Sequence, residues 1–388
     1  MNKFFQVALL SLSLYGCTQK HLADVDTTQY QLFIKIPSSE SGIDFENTIT
    51  ENIHFNALLF DNVMTGGGVG LLDVNNDGLL DIYLAGNLVQ DRLYLNKGGM
   101  RFEDITLNAG IARKENWTSG VSIADVNGDG WDDVYLCKHV YDDPSRRLNL
   151  YYENQRNGTF RERAGELGIA DAGYGIIANF FDYDIDGDLD LYVGNQPPSS
   201  LYEKPKLKGI IDYQFTDRLY RNDGTRFVEV TEQAGVRNYC YTLSVTTSDF
   251  NGDMLPDIYV ASDYEEPDLM YINQGDGTFR DVVHSTVRHM SNFSMGADVA
   301  DINNDGYTDI FVADMVAEDH YRNKTNMSGM NPDKFWTLAN HGYHYQYMFN
   351  ALQLNNGNGT FSEIAQLAGV SHTDWSWATF FIDADHDG

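Results

Sequence analysis

The sequence predicts an all-β chain folded as a β-propeller of four-stranded blades. Three observations carry that expectation. An acidic phrase with oxygen-bearing side chains at its positions 1, 3, 5 and 9 recurs along the chain. A second phrase, built on Asn and Gly, alternates with it. Each acidic phrase runs directly into a short stretch of β-branched and aromatic residues, the composition of a strand.

The chain has 388 residues, 42% apolar and 13% aromatic, with 35 glycines and 8 prolines, a globular composition. Its first segment, MNKFFQVALLSLSLYGC, places Lys3 before an apolar stretch that is too short to span a bilayer. It reads as a secretory signal. The ending Leu14-Tyr15-Gly16-Cys17 resembles a bacterial lipobox, in which Cys17 becomes the lipidated N-terminus; an ordinary cleaved signal is the other reading. Residues 18–40 are polar and read as a tether, and residues 41–388 as the propeller. The expected location is therefore the cell surface or bacterial outer membrane, through a lipid anchor alone.

The acidic phrases align as follows. The first holds Asp73, Asn75, Asp77, Leu79 and Asp81, and the second Asp125, Asn127, Asp129, Trp131 and Asp133. The third holds Asp182, Asp184, Asp186, Asp188 and Asp190, and the fourth Asp249, Asn251, Asp253, Leu255 and Asp257. The fifth holds Asp301, Asn303, Asp305, Tyr307 and Asp309; a sixth begins with Asp383, Asp385 and Asp387, where the sequence ends. Side chains at positions 1, 3 and 5 of a tight loop converge on one point. A backbone carbonyl at position 7 and a carboxylate at position 9 would complete an all-oxygen shell. Ca²⁺ takes 6–8 such ligands at about 2.3–2.6 Å, whereas Mg²⁺ demands a stricter octahedron. No His or Cys stands at a ligand position, which argues against zinc and copper. Five or six Ca²⁺ sites are expected.

An EF-hand would need Glu at position 12. That position holds Leu84, Leu136, Val193, Val260 and Val312, so the loops join strands. Position 6 is Gly except in the fourth phrase, where Met254 stands at a place that favours a left-handed backbone.

The second phrase appears at Leu93–Asn96, Leu150–Asn154, Leu219–Asn222, Met270–Asn273 and Leu352–Asn355, each followed by Gly and then Phe. That is hairpin chemistry. Each repeat is thus four strands and two turns. The first five acidic phrases start about 50–67 residues apart, a propeller period, and the sixth lies further on. A linear β-solenoid normally has shorter repeats. Small residues before the loops, Gly66-Gly-Gly68, Gly120 and Gly296-Ala297, suit innermost strands crowded around an axis.

The paired phrases resemble the FG-GAP or VCBS repeats of integrin α-chain propellers. Ser41-Gly-Ile-Asp-Phe45, Asp314-Met-Val-Ala-Glu-Asp-His320 and Thr373-Asp-Trp-Ser-Trp377 resemble bacterial cartilage-acidic-protein-like lipoproteins more closely. The resemblance covers residues 41–388. It implies seven calcium-stabilised blades at the cell surface, a chain that is a fragment, and a further ASPIC/UnbV-type C-terminal domain.

Net charge is −31, with 57 acidic against 26 basic residues, which excludes a nucleic-acid footprint and an anionic membrane face. Six divalent ions would bring it to −19. Cys137 and Cys240 read as buried free thiols. His341 and His344 have metal-like spacing but lack a third ligand nearby. Asp263, Glu265, Glu266 and Asp268 read as a solvated acidic turn ahead of an acid/base site. No GxSxG, HExxH or P-loop is present. Two insertions stand out: 195–217, with Lys204, Lys206 and Lys208, and 314–349, rich in Met and aromatics. Insertions in repeat folds map to loops, often on the binding face. The expected function is a non-enzymatic binding or adhesion module for a glycan or extracellular protein. A polysaccharide lyase or hydrolase, and a passive scaffold for a further domain, are the alternatives.

Overall fold

The computed structural model describes residues 33–384 except 54, 60–62, 64, 113–116, 197–214 and 327–329. Cys17, the three insertion lysines, Asp385 and Asp387 lie outside the described residues. One compact unit spans Pro37–Ile382.

That unit holds five four-stranded antiparallel sheets among the described residues. Blade 1 is β1 (Val69–Leu72), β2 (Asp81–Leu84), β3 (Arg92–Asn96) and β4 (Phe102–Asp104). Blade 2 is β5 (Thr118–Ala124), β6 (Asp133–Lys138), β7 (Leu150–Asn154) and β8 (Phe160–Glu162). Blade 3 is β9 (Gly175–Phe181), β10 (Asp190–Asn195), β11 (Arg218–Asn222) and β12 (Phe227–Glu229). Blade 4 is β13 (Thr242–Ser248), β14 (Asp257–Ser262), β15 (Leu269–Asn273) and β16 (Phe279–Asp281). A two-residue strand β17 (Met290–Ser291) precedes blade 5, which is β18 (Gly296–Ala300), β19 (Asp309–Ala313), β22 (Ala351–Asn355) and β23 (Phe361–Glu363). The 314–349 insertion lies between β19 and β22 and contributes β20 (Met315–Val316) and β21 (Gln346–Tyr347); β24 (Asp374–Trp375) pairs with β20.

The first strands β1, β5, β9, β13 and β18 lie side by side, each against the next, as propeller blades do around their axis. Glycine permits this approach. A Cβ on Gly120 would lie 2.4 Å from the Ile176 carbonyl oxygen, and one on Gly70 within 2.8–2.9 Å of Val121 and Ile123 side chains. The segment after β24 continues the series. A Cβ on Gly296 would meet the Trp377 oxygen at 2.7 Å, and the Phe381 N–H donates to Asp298 at 2.7 Å.

The apolar runs after each acidic loop place their alternate residues in cores shared by neighbouring blades. Leu72, Tyr83 and Leu93 of blade 1 pack with Val134, Leu136 and Tyr152 of blade 2. Equivalent clusters join blades 2 and 3, 3 and 4, and 4 and 5. Single blades bury one face poorly, so stability resides in these junctions. No helix is long and apolar enough to cross a membrane among the described residues.

Candidate metal centres

Each acidic phrase forms the turn between the first and second strand of its blade, and the five described turns share one geometry. Positions 4 and 6 both take left-handed backbone: Asn76 and Gly78, Gly128 and Gly130, Ile185 and Gly187, Gly252 and Met254, Asn304 and Gly306. This double reversal folds the loop around its own carboxylates. Position 1 accepts N–H groups from positions 5 and 6, as Asp73 does from Asp77 (3.0 Å) and Gly78 (2.8 Å), and Asp301 from Asp305 and Gly306. Position 5 accepts the N–H of position 7: Asp77 from Leu79, Asp129 from Trp131, Asp186 from Asp188, Asp253 from Leu255, Asp305 from Tyr307. That contact leaves the position-7 carbonyl unused by it. Met254 closes its loop like its sisters, its N–H 2.7 Å from Asp249, although it carries a side chain at φ 70°.

Position 9 lies inside the blade. Asp81, Asp133, Asp190, Asp257 and Asp309 are all buried. One oxygen accepts the N–H of loop position 2 and the other the N–H of the third-strand Asn, for example Val74 (2.8 Å) and Asn96 (2.6 Å) onto Asp81. Burial is the main cause that pushes these carboxyls up, Asp133 to about 6 and Asp190 and Asp257 to about 7, against the lowering effect of the two N–H bonds. Asp184 is also raised, first by burial and then by repulsion from Asp186 and Asp182.

The donor set suits a hard cation, since every group at positions 1, 3, 5 and 9 offers oxygen. In the third loop Asp182, Asp184 and Asp190 each bring a carboxylate oxygen to within 4.8 Å of the others, the one such carboxylate trio among the described residues. Two oxygens on one Ca²⁺ lie no further apart than twice a Ca–O distance of about 2.4 Å, a limit this trio meets. Asp stands at position 3 here and Asn in the four other described loops, which accounts for the extra carboxylate.

A second set of polar residues escaped the sequence reading, save Asp268, which it assigned to the acidic turn. Five residues before each third-strand Asn stands Asp91, Asn149, Asp217, Asp268 or Asn350, and all five are buried. The three aspartates receive the hydroxyl of the second-strand tyrosine, Tyr83, Tyr192 or Tyr259. They also receive a hydroxyl from the next blade's approach: Thr118 onto Asp91, Thr242 onto Asp217 and Ser294 onto Asp268. These residues latch one blade to the next. On the loop side the third-strand asparagines do likewise. Asn154, Asn273 and Asn355 donate to the position-2 carbonyls of the preceding blade's loop, Val74 (3.1 Å), Tyr183 (2.7 Å) and Phe250 (2.9 Å). The signal was the register of an Asp or Asn at a constant offset from the strand, hidden because such residues commonly mark turns.

The 263–268 stretch is not a solvated turn. Asp263, Glu265 and Asp268 are buried: the 314–349 insertion folds over Glu265 and Glu266, and Asp268 lies between blades 4 and 5. Lys334 pairs with Glu265 at 2.8 Å, the Gln346 amide donates to the Glu265 carbonyl, and the Tyr343 hydroxyl meets Glu266. Burial pushes Asp263 and Glu266 up to about 7, and Asp268 and Asp314 to about 6. The insertion anchors through parallel pairing of β21 with β17. Its helix Pro332–Asn340 starts on Asn331, which caps the N–H groups of Asp333 and Lys334. The helix and β21 present an aromatic ladder in which Phe335 stacks on Tyr345, and Tyr347 on Phe349. Trp336 and Tyr345 are exposed, and a cleft lined by Asn292, Phe293, Met330, Lys334 and Phe335 lies alongside. His341 and His344 do not converge. His341 is exposed and meets the Thr337 carbonyl, whereas His344 is buried, stacks on His284 and meets the Val287 carbonyl. Cys137 and Cys240 are free and buried.

Blades, inner-strand glycines and acidic hairpins together define a β-propeller type of repeat protein by architecture. The chain carries FG-GAP-like repeats: the model of that repeat matches residues 73–136 and 249–312. It is 24% identical over 273 residues to cartilage acidic protein 1 of Xenopus tropicalis, covering 63% of this chain and 39% of that protein. The Homo sapiens protein is 24% identical over 265 residues, covering 63% and 38%. The chain thus spans about two-fifths of the length of these relatives. Among solved structures, the V. cholerae biofilm matrix protein Bap1 is similar at a TM-score of 0.38 and 12% identity, covering 76% of this chain and 38% of that one.

Proposed function

We propose that this chain is a calcium-braced propeller, exported and tethered through Cys17, that acts as a binding or adhesion module for a glycan or an extracellular protein. The gathering of Asp182, Asp184 and Asp190 carries the metal part of the reading. Positions 1, 3, 5 and 9 of each hairpin would hold the ion with the position-7 carbonyl. The ion neutralises carboxylates that otherwise repel one another, and braces the hairpin on the blade. The tissue setting in the name of cartilage acidic protein 1 agrees with an extracellular role.

The binding part rests on the insertion. Aromatic side chains offer large, rigid faces to sugar rings or to partner side chains at low entropic cost. Trp336 and Tyr345 supply such faces beside the Lys334 cleft. A glycan array and a pull-down, run on the wild type and on W336A/Y345A, test this; equal retention by both proteins removes the insertion from the account. The raised carboxyls of Asp263 and Glu266 favour a second reading, polysaccharide cleavage, since perturbed acids gather at catalytic sites. Depolymerisation that D263N abolishes would support it.

A further inference from the structure

The five hairpins act as internal controls for one another, and one of them departs. In the turn between the third and fourth strands, the second residue after the conserved-offset Asn is left-handed in every blade. It is Gly98, Gly224, Gly275 and Gly357 in four blades, with φ between 64° and 78°. In blade 2 it is Arg156, at φ 60°. Its N–H makes the same contact as the glycines, onto Asn154 at 2.9 Å. The backbone therefore demands glycine here, and blade 2 keeps a long side chain against that preference.

The side chain has a definite destination. The Arg156 Nε and Nη2 donate to Asp129 Oδ2 at 3.0 and 2.8 Å. Asp129 is position 5 of the second hairpin, and its side chain is only 14% exposed. In three sister hairpins the same oxygen receives a neutral amide from position 3: Asn75 onto Asp77, Asn251 onto Asp253 and Asn303 onto Asp305. An amide can rotate to offer its oxygen to an ion, but a guanidinium has no acceptor to offer and adds a like charge. In the third blade Arg221, whose charge reaches Asp184, makes its hydrogen bond to Asp223.

We propose that Arg156 is a built-in counter-cation of the second hairpin, which occupies the position-5 oxygen and makes this hairpin a weaker, later-filling divalent-cation site than its sisters. The proposal rests on the calcium reading above. Its effect is selective: the other loops fill first, and the second responds only at higher ion concentration.

Terbium is the probe, and the loops supply their own reporters. Trp131 occupies position 7 of the second hairpin and Tyr307 position 7 of the fifth. Luminescence excited through tryptophan, taken as wild type minus W131F, follows the second hairpin; emission excited through tyrosine, taken as wild type minus Y307F, follows the fifth. In the wild type the Trp131 component should rise at higher terbium than the tyrosine component. R156G, which restores the residue of the sister turns, should shift its midpoint to lower terbium by up to roughly fivefold, the span of one exposed ion pair. R156K, which keeps the charge and loses the fork, should shift it less. An unmoved midpoint in R156G, a wild-type Trp131 component that leads the tyrosine one, or no Trp131 component in either protein would overturn the proposal. Absence of all sensitised emission would instead overturn the calcium reading itself, and this proposal with it.

Discussion

Replacing Asp217 by alanine tests whether buried latches, and not apolar junctions alone, hold successive blades together. Asp217 is fully buried between blades 3 and 4. Its oxygens accept the Asn195 N–H at 2.7 Å, the Tyr192 hydroxyl at 3.0 Å, the Asn238 amide at 2.8 Å and the Thr242 hydroxyl at 2.9 Å. Alanine leaves four donors facing a cavity. Two can recover in part, because the Asn238 amide also lies 3.2 Å from the Tyr192 hydroxyl and the Thr242 hydroxyl can rotate. The Asn195 N–H and one hydroxyl cannot, and each stranded donor costs about 1–3 kcal/mol. The expected loss is about 3–5 kcal/mol, read from the urea midpoint in saturating calcium. Asp223, which pairs with Arg221 on the surface, serves as the control, and D223A should change stability by less than about 0.5 kcal/mol. A double-mutant cycle with T242V isolates the inter-blade bond and should give a coupling of about 1–2 kcal/mol. A D217A protein within about 1 kcal/mol of the wild type, with an unchanged circular dichroism spectrum, would refute the latch.

Three further outcomes are expected. Excess EGTA should lower the melting temperature, each emptied hairpin removing about 2.7 kcal/mol if calcium stands at a hundredfold over its dissociation constant; an unmoved melt dismisses the hairpins as structural metal sites. M254G should stabilise the fourth blade by about 1 kcal/mol, since glycine accepts φ 70° without strain; calorimetry that shows a loss would mean the Met254 side chain packs usefully despite its exposure. The Asp263 carboxyl, raised by burial and by Asp314 and Glu265, holds its proton to about pH 7 in the fold against 3.8 when unfolded. Between those values the folded state binds more protons, so the contribution is present below pH 3.8 and lost as pH rises through 7. The stability of the wild type minus that of D263N should therefore fall across that window, by up to about 4 kcal/mol; a flat or rising difference rejects it.

The blades were legible because each repeat states its turns twice, once in acid and once in Asn-Gly, and leaves apolar runs of strand length between. Gly120 and Gly296 pointed to the crowded inner strands for the same local reason. The latches were not legible. Asp217 before a strand looks like any turn residue, and its partners Tyr192 and Thr242 stand 25 residues away on either side, in one case across a blade boundary. Glu265 and its neighbours misled for a related reason: a charged run at a strand end is ordinarily wet, and the chain that covers it, Lys334 to Gln346, arrives some 70–80 residues later. Arg156 was readable in principle, as the single long side chain in a column of glycines, but its target on Asp129 required the fold.

The grip of Asn154 on the Val74 carbonyl has an effect beyond stability. Val74 is the second residue of blade 1's hairpin, whereas Asn154 hangs on blade 2's buried Asp133 through its own N–H. Any tightening of one hairpin is thus transmitted to its neighbour's footing, and the same relay recurs from blade 4 to blade 3 and from blade 5 to blade 4. If the hairpins take ions as proposed, uptake along these blades would be a nearest-neighbour process, steeper than independent filling.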